Sequence, residues 1–317
     1  MSVRPASGPA QAKRSTVIGA LGLALLSLQA LLLPAQLFAF EVALDSSGLG
    51  YTNCRVRDVP WSIHVVQVAR SNGLYELHSV HAGMGAVGLD TLSDQITLLN
   101  PAWGKPVAAI NGDFYQRDRA YAGAPRGLQV IDSELISGPN SKISFWTDVI
   151  GEAHATNVAS AFQITWPDGT STPFRLNGER SLNGIELYTP AIGRSTRTSG
   201  GRELVLERAE GSTWLPLRLG KTYTAVVREI RESGDTRMSP NNLVLSLGPG
   251  AARRVAPVQT GALLRISTST SPMLRGVKTA LSGGPILVRN GHRQRVAPIS
   301  VETYEYTSML ERHQRAA

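Results

Sequence analysis

Residues 243–267 read LVLSLGPGAARRVAPVQTGALLRIS. Two short apolar runs, LVLSL and LLRIS, enclose a stretch punctuated by Gly248, Pro249, Gly250, Pro257 and Gly261. Runs of this length, bounded by turn residues, read as strands. The pattern extends upstream to ELVLE (203–207) and YTAVV (223–227). Hairpin turns are legible at Asp132-Ser133 in GLQVIDSELIS, at Asp168-Gly169 in FQITWPDGTSTPFRL and at Asn290-Gly291 in PILVRNGHRQRV. VQVARSNGLYELHSVHA (66–82) reads as two further strands around Asn72-Gly73, because Asn-Gly between apolar runs is the strongest short hairpin signal. Leu92, Ile96 and Leu99 have helical spacing, with Thr91 or Ser93 as cap and Pro101 as stop. Val107–Ile110 reads as a buried strand. With 31 Gly and 18 Pro the chain is rich in turns. The expected fold class is therefore α/β (α+β): one strand-rich domain over residues 40–317, with a mixed sheet and few helices. A boundary near 155–160 or 235–240 is weakly marked.

The composition narrows the function. The 317 residues are 42% hydrophobic and 18% charged, which fits a folded chain with a substantial core. The formal net charge is +8, but Arg4, Lys13 and Arg14 supply three of those charges, and the other Arg are scattered. No basic run marks a nucleic-acid partner. A mildly cationic surface suits an anionic substrate or envelope glycan. Cys54 is the single cysteine, so an internal disulfide and a thiolate-rich metal site are both excluded. The six His have no ligand spacing. No cofactor is expected, and a divalent metal stays open.

The first 39 residues form a leader. A basic flank precedes an uncharged apolar run from Val17 to Leu33, followed by PAQLFA. That order fits a secretory signal cleaved after Ala39. The run is long for such a signal and short for a membrane span, so an uncleaved anchor is the alternative. Either reading places the body outside the cytoplasm, secreted or periplasmic in one case and membrane-anchored in the other.

Three polar segments are candidates for chemistry. In INGDFY (110–115) an apolar run ends in Asn111, Gly112 and Asp113, followed by two aromatic residues and Arg117. This is either a turn or a site built where a strand ends. In LSGGPILVRNG (281–291), Ser282, Gly283 and Gly284 would leave backbone N–H groups open to an anion or sugar, unless they form an ordinary glycine turn. In LYTPAIGRSTRTSGG (187–201), Ser195 and Thr196 could line a carbohydrate or phosphate beside Arg194 or Arg197, or the segment is a solvated loop.

Taken together, AINGDFY (109–115), APRGLQVIDSELIS (124–137), ELYTPAIGRSTRTSGGRELVL (186–206), NNLVLSLGPGA (241–251) and ALSGGPILVRNG (280–291) resemble the phosphodiester glycosidase family. The resemblance spans most of the chain after residue 60. It implies a hydrolase that cleaves between a sugar anomeric carbon and a phosphate oxygen. It also implies that Asp113 is the carboxylate at the anomeric carbon, that Asn111 orients the sugar, and that Arg126 and Arg315 hold the phosphate. Ser282, Gly283 and Gly284 would line the pocket, with His313 nearby. Two departures stand out. The family's His-Pro-Arg-Thr-Ala-like motif is matched only by His313, Arg315 and Ala317 in HQRAA. Its Asn-Leu-Asp-Gly-Gly-Gly-Ser-like motif does not occur in these residues. The expectation is that the sequence ends inside the catalytic domain, with low activity and solubility as given. Two other readings remain: a non-catalytic envelope glycan-binding protein, and a metal-dependent phosphodiesterase.

Overall fold

The computed structural model describes residues 41–56, 61–69, 73–82, 86–117 and 119–294. The leader, His313 and Arg315 lie outside them, as does Asn72. No helix among the described residues is long and apolar enough to cross a membrane. Two compact units are present, one ending at Asn72 and one beginning at Gly73.

The first unit carries an antiparallel hairpin of β1 (Leu49–Val56) and β2 (Trp61–Val68), in register from Leu49↔Val68 to Val56↔Trp61. VQV therefore pairs with the segment before it, not with Leu74–Ala82 as the Asn-Gly signal suggested. Leu74–Ala82 forms no strand. In the second unit it is tied down through side chains: Ser79 Oγ donates to the Val130 carbonyl at 2.5 Å, and Thr279 Oγ1 donates to the Leu77 carbonyl at 3.0 Å.

The second unit is strand-rich, with 38% strand and 7% helix over the chain. In chain order its strands are β3 (Gln129–Ile131), β4 (Glu134–Ser137), β5 (Ile143–Thr147), β6 (Ala153–Asn157), β7 (Ala159–Thr165), β8 (Ser171–Pro173), β9 (Arg175–Leu176), β10 (Ile185–Tyr188), β11 (Arg202–Arg208), β12 (Thr222–Arg231), β13 (Leu243–Leu247), β14 (Leu263–Ser271), β15 (Thr279–Ser282), β16 (Val288–Arg289) and β17 (His292–Arg293). Eight of them make one curved, nearly closed sheet in the order β8-β7-β14-β12-β11-β13-β10-β9. Its pairings are antiparallel except β9 with β10, which makes it mixed. All five residues of β13 are buried, whereas β14 alternates along its length. That difference follows from position, since only a strand covered on both faces can be apolar throughout. Leu204, Leu206, Leu243, Leu245, Leu264, Ile266, Phe162 and Ile164 form the core.

A five-stranded antiparallel sheet, β4-β3-β15-β5-β6, positions the candidate site. The short strand β15 lies at its centre, between β3 and β5. Three of the four sequence-read turns lie where expected. Asp132 (φ 44°) with Ser133 (φ 69°) and Asn290 (φ 51°) with Gly291 (φ 76°) take the paired left-handed conformations of tight hairpins. Helix α1 (Leu92–Thr97) is capped by Thr91, whose hydroxyl accepts from the Asp94 N–H at 3.1 Å. Pro101 starts a separate turn of 3-10 helix.

Val107–Ile110 departs from expectation. It is extended but pairs with no strand among the described residues, and Val107 and Ile110 are 54% and 69% exposed. The strand that the following Gly112 approaches at Leu281, β15, already has a partner on each edge. An apolar run specifies a strand's composition but not its partner.

Candidate functional site

The loop after Ile110 folds back on itself. The Arg126 N–H donates to the Phe114 carbonyl at 2.7 Å, the Gln116 N–H to the Ala124 carbonyl at 2.8 Å, and the Gly123 N–H to the Gln116 carbonyl at 2.7 Å. Tyr115 and Pro125 form an isolated bridge. This closure sets Asp113 and Arg126 together at the base of the loop, against the end of β15. Gly127 completes the contact: a Cβ there would lie 2.1 Å from Ser282 Oγ, and one on Gly112 would lie 3.3 Å from Leu281 Cδ1. Ser282 sits in a central strand and cannot step aside cheaply. Gly127→Ala is therefore expected to cost about 1–3 kcal/mol. Denaturant unfolding measures this, and an unchanged midpoint would show that the sheet end yields freely.

Asp113 is the unusual group. Its backbone is left-handed (φ 65°), where Asp is tolerated better than most residues. Gly112 beside it does not have positive φ, so the left-handed position of the turn falls on Asp113. One carboxylate oxygen of Asp113 accepts from the Phe114 N–H at 2.6 Å, while Oδ2 is buried without a hydrogen-bond partner. Burial raises the pKa to about 7. The Phe114 N–H, the Ser282 N–H (short of a full hydrogen bond) and the Lys142 charge only partly oppose this. Near neutral pH the group divides between acid and carboxylate, as a general acid or base requires.

Lys142 acts on it, and Arg126 acts on Lys142. The Arg126 carbonyl accepts from Asn140 Nδ2 at 2.6 Å, and Asn140 Oδ1 accepts from the Lys142 N–H at 3.2 Å, so β3 and β5 are tied together here. Burial lowers the Lys142 pKa, and the Arg126 charge lowers it further, while Asp113 raises it. Lys142 thus feels both Arg126 and Asp113, and is the cation that acts on the carboxylate. Phe114 and Tyr115, 42% and 47% exposed, lie next to Asp113 in the chain and offer aromatic surface. Lys142 was missed in the sequence, where it follows a Pro-Asn-Ser turn and belongs to no motif.

Other expected site residues are placed differently. Asn111 is exposed and makes no hydrogen bond to Asp113. The Gly283 N–H is not open to a ligand, because it donates to the Ile143 carbonyl at 2.9 Å. Gly284 is half-buried two residues past the Ser282 contact. Ser195 and Thr196 serve the fold. Ser195 Oγ donates to Asp235 at 2.7 Å. Thr196 is fully buried, and its hydroxyl donates to Glu203 at 3.1 Å. Glu203, also fully buried, further accepts from Thr198 Oγ1 at 2.7 Å, Ser246 Oγ at 2.6 Å and the Thr236 N–H at 3.0 Å. Burial is the largest influence on its pKa and pushes it up, but these hydrogen bonds together bring it below the usual value. The hydroxyl-rich loop is organised by a carboxylate beneath it. Among the described residues no cluster of three or more His, Cys, Asp or Glu could hold a metal.

No family model matches the chain, and no curated protein does. Among solved structures, a hypothetical protein from Synechocystis superposes with a TM-score of 0.62 at 17% identity, over 87% of this chain and 49% of its own. The chain thus spans about half the length of that protein, and the likeness is one of fold. A candidate exported protein from Burkholderia pseudomallei aligns over 55% of this chain and 40% of its own at 17% identity, with a TM-score of 0.40, too low to indicate a shared fold.

Proposed function

We propose that this chain is an extracytoplasmic glycosidase acting on sugar-1-phosphodiesters of an envelope or exported glycan. One observation carries the reading: a carboxylate with its pKa raised to about 7 by burial, Asp113, lies within reach of the Lys142 charge at the end of a sheet, and Arg126 in turn acts on Lys142. The sequence resemblance supplies the reaction class, and the apolar leader supplies the compartment.

In this mechanism Arg126 and Lys142 hold the phosphate oxygens, where charge develops as the C1–O bond breaks. The bonding pair leaves with the phosphate monoester, a far better leaving group than the sugar alkoxide of ordinary glycosidases, so strong general-acid assistance is unnecessary. Water forms the new bond at C1 and passes its proton to the Asp113 carboxylate. Phe114 and Tyr115 supply the apolar face on which a sugar ring stacks.

The mechanism makes two measurable claims. With a simple alkyl diester of a sugar 1-phosphate in labelled water, the label is expected in the sugar and not in the phosphate. Label in the phosphate would instead establish a phosphodiesterase that cleaves P–O. Second, kcat/KM is expected to rise with pH through about 7 as Asp113 ionises. It is then expected to fall on the alkaline side, below the ordinary lysine range, as Lys142 loses its proton. A flat profile between pH 5 and pH 9, roughly two units either side of neutrality, would remove Asp113 as the base.

A further inference from the structure

A second cleft in the same unit is built from residues that take no part in the Asp113 site. It encloses about 190 Å³, and its walls include Tyr121, Glu179, Arg180, Arg197 and Ser199. Drug-sized ligands occupy roughly 300–1,000 Å³, so this volume suits a group of a few heavy atoms.

Both arginines are held rigidly. Arg180 donates through Nη1 to Ser246 Oγ and the Leu247 carbonyl, both at 3.0 Å, and through Nη2 to the Ser199 and Gly200 carbonyls at 2.7 and 2.9 Å. Its Nε is buried and has no hydrogen-bond partner among the described residues. Buried donors are almost always satisfied, so this N–H is the one Arg180 donor left without an acceptor. Arg197 lies over the Tyr121 ring, 4.9 Å from its centroid, and Nη2 donates to the Ile192 carbonyl at 2.7 Å. Its Nε and Nη1 have no acceptor among the described residues. Arg197 also has left-handed backbone (φ 51°), which costs a bulky residue about 1–2 kcal/mol that glycine would avoid. Strain of this kind persists where the surroundings hold it, often at ligand sites. Glu179 lines the cleft with them, Glu186 and Glu203 act on Tyr121, and Asp235 accepts from the Arg197 backbone N–H.

We propose that this cleft binds an oxyanion, a phosphate, sulfate or carboxylate group, held by Arg180 and Arg197. The Nε and Nη1 edge of Arg197 matches the paired oxygens of such a group, Arg180 has one uncommitted N–H at Nε, and stacking on Tyr121 lowers the entropy cost of placing the Arg197 plane. The site does not depend on hydrolysis at Asp113. The anion could be free in solution or carried on a glycan chain, and the test separates these sources.

The test is a titration of the full chain, with ¹⁵N-labelled arginine, using inorganic phosphate and a poly(glycerol phosphate) oligomer as probes. The Nε–H resonances of Arg180 and Arg197 are expected to shift saturably. Arg197→Asn, which tolerates the left-handed backbone, is expected to weaken binding roughly tenfold. Arg197→Lys leaves the strain in place but lacks the fork, so it separates loss of binding from loss of fold and should also weaken binding. Shifts with both probes support a site for a free anion. Shifts with the oligomer alone support a site for a polymer-borne phosphate. No shift at Arg180 or Arg197 up to about 10 mM of either probe, or a shift at Arg126 alone, overturns the proposal.

Discussion

Asp113→Asn is expected to lower hydrolysis by about 10²–10⁴-fold while raising the stability of the folded chain at alkaline pH. The two effects have one origin. Burial lifts the Asp113 pKa from 3.8 to about 7, so the native state binds this proton more tightly than the unfolded chain does. The sign follows directly. Below pH 3.8 both states are protonated and the group costs nothing. Between that value and about 7 the unfolded chain ionises first, and stability falls as pH rises. Above about 7 the full penalty is present, a few kcal/mol at about 1.4 kcal/mol per unit. Asparagine keeps the shape, accepts the left-handed backbone and carries no charge. The melting temperature of Asp113→Asn should therefore exceed that of the parent at pH 8 by clearly more than at pH 5. A variant equally destabilised at both values, or one with near-parental turnover, would remove Asp113 from this role.

Glu203→Ala should have the larger structural effect, a loss of about 4 kcal/mol or more. Four donors converge on that buried carboxylate, from Thr196, Thr198, Thr236 and Ser246. Alanine leaves them buried and unpaired at about 1–3 kcal/mol each, less whatever water recovers. The pH dependence runs opposite to that of Asp113. The folded pKa lies below 4.5, so the carboxylate's contribution is present above that value and is lost as pH falls through the folded pKa. Urea unfolding at pH 7 of parent and variant measures the loss, and a difference under about 1 kcal/mol would show that the network contributes little.

The features legible in the sequence were local. Residues 129–137, 159–173 and 288–293 each carry a hairpin's two strands and its turn within one short window, and they fold as read. ELVLE, YTAVV, LVLSL and LLRIS announce strands by composition, and all four are strands. Val107–Ile110 could not be placed from composition, because the strand that the adjoining Gly112 meets, β15, lies some 170 residues away in sequence and is already paired on both edges. The same distance hid Lys142, which only the pairing of β5 with β15 brings toward Asp113. Thr196 was hard to read for a chemical reason, since its hydroxyl serves Glu203, while that of Ser195 serves the exposed Asp235. A hydroxyl that serves a ligand and one that serves a buried carboxylate look alike in a sequence. The distinguishing residue, Glu203, sits inside what reads as an ordinary strand.

The left-handed backbone at residue 113 also limits how this site can change by mutation. Glutamate is the usual exchange for aspartate when chemistry is to be kept, yet the obstacle here lies in the main chain before reach is considered. Only glycine, asparagine, aspartate and, less readily, histidine occupy that region often. A saturation library at 113 sorted for folding should be depleted of β-branched and long side chains. The carboxylate can then be lost in a single step to a well-folded asparagine or glycine protein, and only aspartate restores it. Chains of this fold without hydrolytic activity would then be one substitution away, and they would differ from active ones by composition at a position that leaves the architecture intact.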